Sequence, residues 1–505
     1  MTQIESKFLQ QKPRFGAAPR LRRHGSSGQG NRRLQNLLRL MVIVLAWRCL
    51  ACAQQWVPVN QPFPGRAGTA LVRTDGNVMV EDKDTGWWWV LVPDKTGDYA
   101  KGVWIPPQFP INYDPAGFAS AVLSDGRIIV EGGEHNFGQK QDTTMGEILD
   151  PRTGAWTEVN PPQGWTKIGD APSVVLANRT FMLGACCSKQ EALLDAKTLT
   201  WTTTGAGKAD RNSEEGWTLL PNRKVLTIDL ENGRASELYD PDTGSWSFAG
   251  NLPYFIGNKC GKPIVAEIGP AILRPDGTVF AVGANNKTAI YNSSTGKWSK
   301  GPSFPKTFGS ADGPASILPD GNVLVQVSPC FAPPSLFYEF NGTKLIAAPS
   351  PPRALVDKSE NGHMVVLPHG GHILYTDASS DVEVYVPAGS PKSAWLPTIT
   401  SYPKTVTRGH GYRIKGRRLN GMTQGAAFGD DAQMATNYPL VRITNNATGH
   451  VFYARTRNFS TMGVATGSAI VAATFIPSKN MEAGASKMVV VANGLASKSV
   501  ALTVK

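Results

Sequence analysis

The chain has 505 residues, too many for one ordinary core and enough for a large repeat domain with a smaller partner. Its 41% hydrophobic and 18% charged residues, with 52 Gly, 37 Pro and 13 Trp, suit many short strands joined by tight turns better than helices. Of the net charge of +12, +9 lies in residues 1–55, so the remainder is close to neutral and offers no footprint for a phosphate backbone; with no groove-reading helix in sight, nucleic acid is excluded as a partner.

Residues 1–53 read as a basic leader and signal peptide. A long basic region is followed by the apolar stretch Leu40–Trp47 and then by Ala51-Cys52-Ala53, a small-x-small cleavage pattern. The apolar stretch is far shorter than the ~20 residues a spanning helix needs, and Arg48 ends it, so no transmembrane anchor is expected in the mature chain. The protein is therefore expected to be secreted, periplasmic or displayed at the cell surface.

Residues 54–394 carry a repeated hairpin signal, two short apolar runs around a turn. Leu71-Val-Arg-Thr-Asp-Gly-Asn-Val-Met-Val is the first instance and Ile317-Leu-Pro-Asp-Gly-Asn-Val-Leu-Val the sixth. The turns fall at Asp75, Asp125, Asn178, Asn222, Asp276, Asp320 and His369, and Asp-Gly and Asn turns accept positive φ at little cost. A period of roughly 40–50 residues with four strands per unit is the signature of a propeller blade. A second signal, D-P-x-T-G-x-W, marks the outer hairpins at Asp150–Trp156 and Asp240–Trp246, with variants at Asp195–Trp201 and Asn292–Trp298. These tryptophans are expected to pack between neighbouring blades. The seventh repeat lacks a tryptophan strand, and Gln55-Trp56-Val57-Pro58-Val59 has no strands ahead of it, so the two should join and close the ring. Trp87-Trp88-Trp89 reads as a strand with mostly core rings. Cys260 and Cys330 are a plausible bridge, while Cys186-Cys187 reads as buried filler rather than a redox centre.

From about Trp395 the pattern changes to short alternating strands, which suits an immunoglobulin-like sandwich over residues 395–505. The fold class is thus all-β, a seven-bladed kelch-type propeller followed by that sandwich. Seven such repeats, with Val441-Arg-Ile-Thr-Asn-Asn-Ala-Thr-Gly-His450 and the closing Val490-Val-Ala-Asn-Gly-Leu-Ala-Ser, resemble the galactose oxidase and glyoxal oxidase-like family. The resemblance implies an early-set C-terminal domain and, in oxidase members, axial copper held by two tyrosines and two histidines, one tyrosine being cross-linked to a cysteine. That set is missing. No Tyr-His dipeptide occurs, Glu360-Asn361 stands in its place, and the segments before the early inner strands supply neither the cysteine nor the tyrosine. Only His450 sits where the copper histidine of the C-terminal domain is expected. One histidine does not make a copper site, so copper is not expected and no catalytic residue is assigned.

Acidic residues recur eight or nine positions before the hairpin turns, at Asp170, Glu214, Glu267, Asp312 and Glu360. Equal offsets before inner strands bring side chains together at the mouth of the axial channel. With His450 these are the candidate ligand-binding residues, and carboxylates suit Ca²⁺ or the hydroxyls of a sugar. The bland reading is that they cap loops. His363, His369 and His372 read as solvated turn residues. The expected function is recognition of an extracellular carbohydrate or protein ligand at the propeller face; the alternatives are a copper-radical or other carbohydrate-active oxidase, and a structural surface protein.

Overall fold

The computed structural model describes residues 54–261 and 266–505. The basic leader, its apolar stretch and Cys52 lie outside the described residues. No helix among the described residues is long and apolar enough to cross a membrane.

Seven sheets follow one another along the chain. Each runs outward from an inner strand: Ala67–Val72, Ala119–Val122, Ser173–Val175, Thr218–Leu219, Ile268–Leu273, Pro314–Ile317 and His363–Val366 begin blades one to seven. The inner strands of blades two and three lie side by side, as do those from blade four through blade seven, and blade seven lies against blade one. The ring closes as the tryptophan pattern predicts: Gln55–Pro58 pairs antiparallel with Glu383–Val386, placing Trp56 opposite Tyr385, and supplies the fourth strand of blade seven. This leaves no open edge where the chain starts and ends its circuit.

The hairpin turns form for a local reason. The side-chain oxygens of Asp75, Asp125, Asn178, Asn222, Asp276 and Asp320 each accept a hydrogen bond from the backbone N–H two residues on, at 3.0–3.1 Å. The residue in between is left-handed in every case: Gly76, Gly126, Arg179, Arg223, Gly277 and Gly321. An Asx turn thus sets six of the seven hairpins by a contact within the turn itself.

Outer tryptophans then tie blades two to five and blade seven to the blade before each. The indole N–H of Trp201 in blade three donates to Asn160 O (2.7 Å), that of Trp246 in blade four to Glu191 Oε2 (2.7 Å), and that of Trp298 in blade five to Ser236 Oγ (2.8 Å). Trp56 of blade seven reaches Pro349 O in the same way. Trp156 packs on Trp88 of blade one. In the Trp87–Trp89 run the middle ring is buried and Trp87 is 40% exposed, as strand alternation requires.

The last strands, from Thr398–Ser401 to Val500–Val504, form the sandwich, with Ile414, Val441, Ile443, Phe475, Met488 and Val490 buried inside. It sits on the hairpin-turn ends of the inner strands. Tyr438 donates its hydroxyl to Val72 O, Thr456 N–H bonds to Thr74 O, and Phe459 N–H to Ser124 O. Both cysteine pairs are disulfides. Cys260–Cys330 is the expected bridge, whereas Cys186 and Cys187 are bonded to each other and are not free buried thiols.

Candidate functional site

A finger from the sandwich enters the propeller axis. Ala426–Phe428 pairs antiparallel with Pro314–Ile317, adding a fifth strand to the inner edge of blade six. Gln424 Oε1 receives the Leu219 N–H of blade four (2.7 Å) and Gln433 O accepts from Ser120 Oγ of blade two (3.4 Å), so the finger is gripped from several sides. Glycine permits the close approach: Gly429 has φ +21, and a Cβ there would lie 3.1 Å from Asp312 Cα. A Cβ on Gly216 would lie 2.5 Å from Gly429 O.

Beyond Gly429 the finger delivers Asp430 and Asp431 to the hub, at the end of the inner strands away from the sandwich. There they meet the blade carboxylates. Ligand oxygens of Asp170, Asp430 and Asp431 lie within 4.8 Å of one another, and so do those of Glu214, Glu267 and Asp312. Four of the residues predicted from sequence therefore converge, drawn from loops ahead of blades three to six. The backbones of Glu214 (φ 57) and Asp312 (φ 41) are left-handed, a conformation that costs free energy for residues with a Cβ and is held by the surrounding structure.

The electrostatics follow from burial and crowding. Burial, then the neighbouring Asp430, Asp431 and Asp312, hold the Asp170 carboxyl well above the usual carboxylate range. Glu214 and Asp430 are raised well above it for the same reasons, burial first. Asp431 is raised to about 7 by burial, an effect that the Ala432 N–H at 2.5 Å and the Lys83 ammonium moderate. Asp430 is 2% exposed and its Oδ2 has no hydrogen-bond partner, nor has Asp170 Oδ1. A loop-capping carboxylate would spend both oxygens on nearby N–H groups; these do not.

Glu360 and His450 are placed elsewhere. Glu360 lies in a short turn of 3-10 helix and pairs with Lys358. His450 stays on the sandwich, where Nδ1 meets Glu482 Oε1 at 2.6 Å and Thr448 Oγ1 holds the other carboxylate oxygen. The sandwich reaches the hub through 424–433 instead. His363 corrects a third expectation. It is buried, not solvated, and its ring stacks on Phe428 at 4.7 Å; burial and then Lys83 lower its pKa to about 3, so it stays neutral. Asp430 and Asp431 were not anticipated. Their signal was an acidic pair directly after the Phe428-Gly429 break in an apolar stretch.

At the rim, the hairpin His135–Asn136 and Gln139–Lys140 stands beside the hub. Its base residue Glu134 adds to the negative field at Asp170, Asp430 and Asp431, and Phe137 at its tip is 55% exposed.

Neither any family model nor any curated protein sequence matches the chain. Among solved structures, it aligns with a fungal alcohol oxidase of the AA5 family in complex with copper: TM-score 0.53, 16% identity, covering 90% of this chain and 100% of the oxidase. The fold is galactose-oxidase-like. A streptogramin B lyase structure also aligns, at TM-score 0.47 and 13% identity over 66% of this chain and 97% of the lyase. The copper chemistry in the oxidase's description does not fit the donors here. The hub trios are all carboxylates, the His363 ring is stacked on Phe428, and the four cysteines of the described residues are all in disulfides, leaving no thiol to modify a tyrosine.

Proposed function

We propose that the hub holds a hard divalent cation of the calcium class and uses it, outside the cell, to bind the hydroxyl groups of a carbohydrate. The observation that carries this reading is the convergence of six carboxylates at the hub with Asp170 Oδ1 and Asp430 Oδ2 buried and unpartnered. Within each of the two trios the ligand oxygens lie within 4.8 Å of one another, a spacing of the order that an ion with bonds of ~2.4 Å bridges, and oxygen-only donors are the calcium set. Asp170, Glu214 and Asp312 are only partly buried, so vicinal hydroxyls can reach an ion held there and complete its shell. Exposed Phe137 beside it offers a face on which a sugar ring can stack.

The test is a glycan array with wild-type protein and Asp430→Asn, each in calcium or in EDTA. The expected result is signal from wild type in calcium only, and none from the variant. Binding of equal strength in all four conditions would refute a cation-mediated site, and silence in all four would refute carbohydrate as the ligand.

A further inference from the structure

Glu214 and Glu215 are consecutive, yet they serve different places. Glu214 turns to the hub, while Glu215 is wholly buried at the loop end of blade four with Asp210 and Asp229. None of these three residues is more than 2% exposed, and their ligand oxygens lie within 4.8 Å of one another. Lys208, also buried, answers one side of the group. Its Nζ is 2.9 Å from Glu215 Oε2 and 2.6 Å from Glu237 Oε2. Thr227 donates its hydroxyl to the same Glu215 oxygen at 3.2 Å.

That arrangement leaves the other side unanswered. Glu215 Oε1 is buried with no hydrogen bond, and the two buried oxygens of Asp229 have only the Asn232 amide close by to ease their charge. Asp210 is fixed in place by the N–H groups of Arg211 and Glu231, each at 2.9 Å. Asp210, Glu215, Asp229 and Glu237 thus share a single buried ammonium, which would leave three negative charges in excess if all four were ionised. Such an excess is met either by protons or by a cation. Burial, the largest cause, raises Asp229 to about 7 and Glu215 well above the usual range. Two features favour a cation: the spacing suits bonds of ~2.4 Å, and Glu215 Oε1 has no donor while the two Asp229 oxygens have only the Asn232 amide nearby.

We propose that Asp210, Glu215 and Asp229 form a second site for a hard divalent cation, distinct from the hub, which pins the loops around residues 208–215 and 229–232 to blade four. The site is closed to solvent, so its role is structural. It stands or falls independently of the hub.

Calcium content after equilibrium dialysis, with elemental analysis, tests it on the full chain. Asp430→Asn, which weakens the hub, is expected to retain one tightly held ion, and Asp430→Asn/Asp229→Asn none. Terbium in place of calcium should luminesce on tryptophan excitation in the single variant, since Trp246 lies 5.1 Å from Lys208 Nζ, and at least tenfold less in the double one. Should the double variant fail to fold, the single one decides: no bound calcium at millimolar concentration and no sensitised terbium emission would overturn the proposal. An unchanged ion in a folded double variant would overturn it too. If wild type and Asp430→Asn hold the same single ion, this site stands and the hub reading fails.

Discussion

Raising the pH of metal-free protein from about 5 to about 8 pulls the proton from the Asp431 carboxyl at the hub. An unfolded carboxyl releases its proton near pH 4, whereas the folded hub holds it more tightly. Between those values the native state binds more protons than the unfolded chain, so stability is full at low pH and falls as pH rises through the folded values. For Asp431 alone, a rise from 3.8 to about 7 corresponds to on the order of 4 kcal/mol once the pH exceeds 7. Asp170, Glu214 and Asp430 act in the same direction. A cation replaces the protons, and at one hundred times its dissociation constant restores ~2.7 kcal/mol. Differential scanning fluorimetry in EDTA should show the melting temperature dropping across this range. Millimolar calcium should recover about 2–5 °C at pH 8 and little at pH 5. Because the blade-four carboxylates titrate in the same sense, Asp430→Asn isolates the hub: it should flatten the EDTA profile and shrink the calcium effect. A melting temperature independent of pH in EDTA, or no response to calcium at pH 8, would refute the reasoning.

Other consequences follow from the packing. Trp246→Phe keeps a ring between blades but removes the N–H that reaches Glu191, and should cost about 1–3 kcal/mol in a denaturant titration. Removing residues 54–58 strips the closing strand from Glu383–Val386 and leaves an open edge; a lower melting temperature and concentration-dependent aggregation in light scattering are expected. Cys260→Ser/Cys330→Ser opens a link across 70 residues, which chain entropy values at about 4 kcal/mol, so a loss of about 2–4 kcal/mol should appear in the same titration. Phe428→Ala, which empties the space between the finger and His363, should cost about 3–5 kcal/mol and weaken calcium binding in calorimetry by loosening Asp430 and Asp431.

The fold was legible because its rules are local. An Asp or Asn that accepts from the N–H two residues on declares its turn in four letters, and six such turns, with a seventh hairpin at His369, at a steady period leave little room for another architecture. Trp56 could be matched to blade seven because the last repeat ended without an outer strand and one tryptophan strand had no repeat ahead of it. Asp170, Glu214, Glu267 and Asp312 were found by the same logic, since equal offset before an inner strand means equal height at the axis. That logic stops at the edge of the repeat. Asp430 and Asp431 arrive on a finger from the sandwich, and no periodicity relates residue 430 to residue 170; only the pairing of Ala426–Phe428 with blade six does. His450 shares its domain with the finger but is held on the sandwich by Glu482. Glu360 has the right offset, but its side chain pairs with Lys358 beside it. His363 lies near a turn in sequence, yet it opens an inner strand and is covered by Phe428, a partner 65 residues away that no local pattern reveals.

Crystals grown with calcium and then exchanged into terbium would test the central claim most directly through the anomalous signal of the metal. The account predicts a peak about 2.4 Å from carboxylate oxygens of Asp170 and Asp430. A hub that holds only protein and water after exchange, with Asp430 Oδ2 bonded to a solvent molecule, would contradict it.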